Sequence, residues 1–210
     1  MDILKIFEAL NYLATIGLLV VAIYGLQQLR ISKETSATNA RRDALKLSND
    51  QSKYYLETII PILSNLEAQI GSKVKFITQS SFELKDDGIK VNFASNINDK
   101  DLQDFVEVAP DLTHAFNMLE GFSTYFISEL ADEGVAFKAV GSTFCNNVKK
   151  YIPIIATAGE DKSYQNLLEL YVLWQKRIDA QLLNKQKDSI ETQLKKVNNT
   201  VIVPVGTTKN

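Results

Sequence analysis

The chain is poor in the residues that most often carry chemistry or covalent constraint. Its 210 residues include one cysteine, one histidine, one tryptophan and four prolines. A single cysteine, Cys145, excludes an internal disulfide, and its isolation fits a reducing compartment. A single histidine, His114, excludes a two-metal carboxylate bundle, which needs Glu-x-x-His motifs on two helices. No Gly-rich phosphate loop accompanies any basic cluster, and no catalytic or metal motif is present. Cofactors and metal ions are therefore not expected. A net charge of −2 gives no overall attraction for nucleic acid, so a nucleic-acid partner is not expected either.

What the chain does have is one uncharged apolar run, Ala9 to Leu29, ALNYLATIGLLVVAIYGLQQL. A bilayer core of about 30 Å needs roughly 20 helical residues, so this run is long enough to cross. The leader MDILKIFE sets Asp2 and Glu8 against Lys5, and no small-residue cleavage site follows Leu29. The run therefore reads as a permanent anchor and not as a signal peptide. Lys5 alone precedes it, whereas Arg30, Lys33, Arg41, Arg42 and Lys46 follow. The positive-inside rule then places the N-terminus outside and the bulk of the chain in the cytoplasm. Tyr12 and Tyr24 stand near opposite ends of the run, where amphipathic rings favour the interface. Ala14, Leu18, Val21 and Gly25 share one helical stripe, a candidate interface for homo-oligomerisation within the membrane.

Beyond the anchor (residues 1–30) the pattern is helical with one interruption. Residues 31–70 read as a juxtamembrane stalk and first bundle helix, because Ile31 to Asp50 holds neither Gly nor Pro. Leu45, Asn49, Ser52, Leu56, Ile59, Leu63, Leu66 and Ile70 form a heptad-like seam, and Pro61 should kink or break it near Ile60. Residues 71–98 change period: Phe82 and Leu84 face Ile89, Val91 and Phe93 across Asp87-Gly88, a hairpin signal, and Lys73 to Thr78 could add a strand. Residues 99–197 read as a helical bundle. A short helix capped by Asn98 or Asp99 ends at Val106, and Pro110 opens a second one that buries Leu112, Ala115, Phe116, Leu119, Phe122 and Phe126. Gly134 is expected to terminate it. A helix from Val135 to Tyr151 follows, and the last carries Leu167, Leu170, Tyr171, Trp174, Ile178 and Leu182. Residues 198–210 form a tail whose Pro204 argues against an inner strand. The expected fold class is mainly α: a transmembrane helix and stalk, then a cytosolic bundle with a small β-hairpin.

Few side chains stand out as candidates for chemistry. Asp111 lies three residues before His114 on one helix face, but no nucleophile accompanies the pair, so catalysis is not expected. Asn117 and Glu120 lie three apart on the aromatic helix and could line a ligand site. Lys149 and Lys150 could meet a phosphate, although helix-end lysines are explained by the helix dipole alone. Between Asp99 and Glu133 nine acids stand against one lysine, which disfavours polyanions there.

The segments FNMLEGFSTYFISELADEGVAF, VKKYIPII and LYVLWQKR give the chain a family resemblance. It resembles the bacterial "domain of unknown function 4760" family, best between Leu112 and Arg177, with Asn117 and Glu120 at its N-x-x-E positions. The hairpin lies outside the resemblance. That family implies one N-terminal span, a helical cytoplasmic region and a bacterial source, and brings no activity. The expected protein is a non-enzymatic module of the bacterial inner membrane, single-pass, that presents a helical domain to a cytosolic protein partner. Analogy extends this to defence or stress response. The alternative is a sensor whose cytosolic domain binds a small ligand, such as a nucleotide, and controls assembly of the membrane helices.

Overall fold

A computed structural model describes residues 3–74, 80–85, 88–93, 98–158 and 163–198, excepting the side chains of 3–16, 19–20, 72–73, 85, 88, 157–158 and 197–198. The chain divides into two compact units, Met1–Leu47 and Ser48–Asn210. Among the described residues the first unit holds one element, the greater part of α1 (Ile3–Tyr54). Side chains from Val21 to Asp43 are exposed, and local contacts support the helix: Arg30 Nε donates to Glu34 at 3.0 Å. No helix among the described residues is long and apolar enough to cross a membrane. Of the span read over residues 9–29, the side chains of 9–16 and 19–20 lie outside the described set, Ala14 included. Leu18 and Val21 are exposed, and Gly25 faces open space.

The second unit is mainly α. α1 ends in a π-helical turn, Tyr55–Ile59, and continues as α2 (Ile60–Lys73). Pro61 causes no break. Proline lacks the N–H that an α-turn needs, and its ring crowds the carbonyl four residues back. A wider turn relieves both, and the Ile60 N–H reaches the Tyr55 carbonyl. The extra residue in that turn slips the seam by one place. Ser48, Ser52, Tyr55, Ile59, Leu63, Leu66, Ile70 and Val74 are buried, whereas Leu56 and Asn49 from the expected seam are exposed.

β1 (Ser81–Lys85) and β2 (Gly88–Asn92) form the hairpin, a two-stranded antiparallel sheet. Phe82 pairs with Val91 and Leu84 with Ile89, as the alternation demands, and Gly88 pairs with Lys85. The possible third strand falls on residues 75–79, which lie outside the described set, as do Asp86 and Asp87.

The expected pair of helices around Pro110 is one helix, α3 (Asp99–Ile127). Asn98 and Asp101 close a reciprocal capping box at its start, with bonds of 2.9 and 3.2 Å. Pro110 and Val106 lie on the exposed face, so water can take the carbonyl that the proline leaves without a donor. The helix ends at Glu129, not at Gly134. Glu129 has φ 58°, and the Leu130 N–H reaches the Tyr125 carbonyl while the Glu129 N–H reaches that of Phe126. That is a Schellman ending with a glutamate in the left-handed place. Gly134 instead lies in the first turn of α4 (Glu133–Lys149), which Asp132 caps through the Val135 N–H.

α5 (Ile152–Ala158) and α6 (Gln165–Asn198) complete the unit. Trp174 is wholly buried at the centre of the core, with Phe122, Phe126, Phe137 and Phe144 within 5.0 to 6.3 Å of its ring. α3 packs on α2 and α6, α4 packs on α6, and the hairpin rests on α5 while its Phe82 meets Tyr171 of α6. Leu182 is exposed instead of lining the core, because α6 leaves the bundle after Ile178.

Candidate functional site

One edge of α3 lines two adjoining concave surfaces of the second unit. The inner face of α3 is committed to the core through Leu112, Ala115, Phe116, Leu119 and Phe122. Turned about the axis from these, His114, Asn117, Met118, Gly121 and Tyr125 follow at helical spacing. With Gln51 and Tyr54 at the end of α1, they line a cleft of about 500 Å³. His114 also walls an adjoining depression of about 300 Å³, lined by Ile62, Asn65, Leu66, Gln69 and Asp111. The two lie along the seam where α3 meets the π turn and α2.

The clefts carry amides and phenols. Neither is lined by a lysine or an arginine, and Asp111 gives one of them a carboxylate. Among the described residues, no side-chain hydrogen bond joins Gln51, Asn65, His114 or Asn117 to a partner. The expected Asp111–His114 pair thus shares a cleft without bonding.

Asn117 and Glu120 separate despite their spacing. Asn117 is exposed in the cleft. Glu120 does not line the cleft and instead caps the start of α6. Its carboxylate accepts from the Leu167 N–H at 2.8 Å, the Asn166 N–H at 3.3 Å and the Asn166 Nδ2 at 2.7 Å. Asn166 Nδ2 also reaches Thr124 Oγ1 at 3.2 Å. An anion placed on the first-turn amides of a helix satisfies otherwise orphaned donors and complements the dipole. Glu120 is thereby occupied by the fold.

The two lysines lie elsewhere. Lys149 is exposed at the end of α4, and Lys150 is paired with Glu67 of α2. Neither lines a cleft. Cys145 is buried, and burial, with Asp179 as a lesser cause, pushes its thiol up to about 12. Such a thiol is not nucleophilic at neutral pH. Tyr55, adjacent in sequence to the cleft residue Tyr54, is also pushed up to about 12 by burial, partly offset by the hydrogen bond from Asn147. Among the described residues, no group of three His, Cys, Asp or Glu side chains could hold a metal ion.

A second polar cluster is structural. Glu133 at the start of α4 receives Arg177 as a two-pronged pair at 2.8 and 2.9 Å and also accepts from the Trp174 indole. The Arg177 guanidinium lies 4.5 Å over the Phe137 ring. These contacts bolt α4 to α6 across the aromatic core. Sequence spacing could not reveal them, since the partners stand more than 40 residues apart.

Residues 12–174 match the family described as Domain of unknown function (DUF4760). The chain belongs to that family. The match runs from within the apolar N-terminal run to Trp174, and so crosses the hairpin that the resemblance left out. The part of α6 beyond Trp174 lies outside the DUF4760 match. No curated protein and no solved structure matches the chain. Of the cleft residues, Gln51, Tyr54, Met118, Gly121 and Tyr125 escaped the sequence reading. Gly121 left a signal there: a glycine in the middle of a strongly patterned helix asks for a reason.

Proposed function

We propose that this protein is a membrane-anchored, non-enzymatic interaction module of the bacterial inner membrane. The run from Ala9 to Leu29 holds it there, and the helical unit is presented to a partner protein in the cytosol. One observation carries the presenting role. α6 buries one face as far as Trp174, Arg177 and Ile178 are half-buried, and from Asp179 to Lys196 every side chain is exposed. Leu182, Leu183, Ile190 and Leu194 are more than half exposed on that extension. A helix that keeps leucine and isoleucine at near-helical spacing, away from its own core, offers a face for another helix. The flanking Lys185, Lys187, Glu191, Lys195 and Lys196 keep it soluble meanwhile.

The anchor rests on the length, missing charge and flanking asymmetry of the run. Fractionation tests it. The full-length protein should stay with membranes through alkaline carbonate, and deletion of residues 9–29 should release it. Added protease should cut α6 in inverted vesicles and not in spheroplasts. Release of the full-length chain by carbonate would overturn the anchor. Cutting in spheroplasts would overturn the orientation.

A further inference from the structure

We infer that the cleft along α3 binds an uncharged, planar, hydrogen-bonding ring of the nucleoside class. The first observation is Gly121. It lies well inside α3, exposed, and a Cβ built there meets nothing within 4 Å. A glycine inside a helix costs about 0.5–1 kcal/mol relative to alanine. No neighbour requires it here, unlike Gly141, whose missing side chain makes room for the Phe137 ring. What the bare backbone at Gly121 leaves open is the wall of the 500 Å³ cleft.

The second observation is what surrounds that wall. Tyr54 and Tyr125 line the cleft with it, and phenol rings are sequence-tolerant platforms for a flat base, at about 1–3 kcal/mol per stacked base. Gln51 and Asn117 stand beside them. A carboxamide presents a donor and an acceptor side by side, the complement of a base edge that does the same. His114 adds a third polar group. The cleft volume falls within the range usual for small-molecule sites, about 300–1,000 Å³.

Charge sets the limit on the ligand. A bound phosphate is usually met by Arg, Lys or a helix N-terminus. The cleft walls carry no lysine or arginine, and the adjoining depression carries Asp111. The ring therefore arrives as a base or nucleoside, and the phosphorylated form is the weaker ligand. This gives the small-ligand alternative a site and a chemistry, and it stands independently of the anchor and of α6.

The test is calorimetric titration of the full-length protein in detergent with adenosine, guanosine, cytidine and uridine, and with their 5′-monophosphates. At least one nucleoside should saturate, with its monophosphate about tenfold weaker or more. Gly121→Leu should weaken binding at least tenfold while leaving the melting temperature equal or higher, because its Cβ enters open space. Asn117→Ala, at an exposed position, should weaken binding without unfolding and covers the case in which the leucine variant folds poorly. Three results would each overturn the inference. One is no saturation by any nucleoside up to about 5 mM. Another is unchanged binding in both variants. The third is a monophosphate that binds as tightly as its nucleoside.

Discussion

Removing the Glu120 carboxylate should cost the fold dearly, although the residue sits on the surface side of α3 and is only half-buried. Two backbone amides at the start of α6 depend on it, those of Asn166 and Leu167, as does the Asn166 side chain. A helix N-cap replaced by alanine typically costs about 1 kcal/mol for a single capped amide. Here two amides and a carboxamide lose a charged acceptor. Bonds to a charged group contribute about 1.5–3 kcal/mol each, reduced here by water that replaces part of them. Glu120→Ala should therefore destabilise by about 3 kcal/mol. Glu120→Gln keeps one acceptor oxygen and should lose about half as much.

For a unit of this size, about 3 kcal/mol corresponds to a fall of roughly 6–12 °C in melting temperature. The assay is urea unfolding of the full-length protein, followed by circular dichroism, for wild type, both Glu120 variants, Asn166→Ala and the Glu120→Ala/Asn166→Ala double variant. The two residues touch, so the double variant should fall short of the sum by about 1 kcal/mol. A Glu120→Ala cost within about 0.5 kcal/mol of zero would refute the capping role and return Glu120 to the set of free ligand residues.

Three further perturbations probe other parts of the fold. Glu129→Gly should stabilise by about 1 kcal/mol, since glycine accepts the left-handed φ of 58° without the penalty a side chain brings; a lower urea midpoint would contradict the Schellman ending. Gly141→Ala should destabilise by about 1–3 kcal/mol and disturb the near-ultraviolet signal of Trp174, because its Cβ would fall 2.5 Å from the Phe137 ring; Gly121→Ala, with open space around it, should have the opposite sign. Raising the pH should unfold the second unit. Tyr55, Tyr151 and Cys145 are held protonated by burial with values pushed up to about 12, so their contribution is intact below the ordinary thiol and phenol range and is lost as pH rises from about 9 to 12. Tyr55 alone should give up roughly 3 kcal/mol across that window, and a urea midpoint flat between pH 8 and 12 would contradict its burial.

Local rules explain which parts of this fold can be read from the sequence. The hairpin register follows from alternation around Asp87-Gly88, and the buried face of α3 follows from the spacing of Leu112, Phe116, Leu119, Phe122 and Phe126. Both signals lie within a dozen or so residues. The prolines misled for a physical reason. Pro110 and Pro61 each remove one donor, but the chain can leave the orphaned carbonyl to water at an exposed site, or widen one turn, and the burial of the flanking apolar residues outweighs the loss. Gly134 misled because a Schellman ending needs a left-handed residue and not glycine as such, and Glu129 takes that place five residues earlier.

The candidate site was less legible, and the π turn explains why. Tyr54 and Tyr55 are neighbours with opposite fates: Tyr55 is fully buried against Phe122 and Phe144, while Tyr54 is 39% exposed and lines the cleft. A regular heptad extended back from Leu63 through Ile59 puts Leu56 in the core and gives no reason to prefer either tyrosine. The turn forced by Pro61 slips that register, so Tyr55 enters the core and Leu56 leaves it. Gln51 and Tyr54 then fall on the rim facing Asn117 and Gly121. A residue read as a helix breaker thus decides which aromatic ring is available to a ligand. Glu120, one step round α3 from the cleft, turns away from it to hold the start of α6. Spacing alone put Asn117 and Glu120 together; the packing of α2 and the π turn on one flank of α3 and of α6 on the other set them apart.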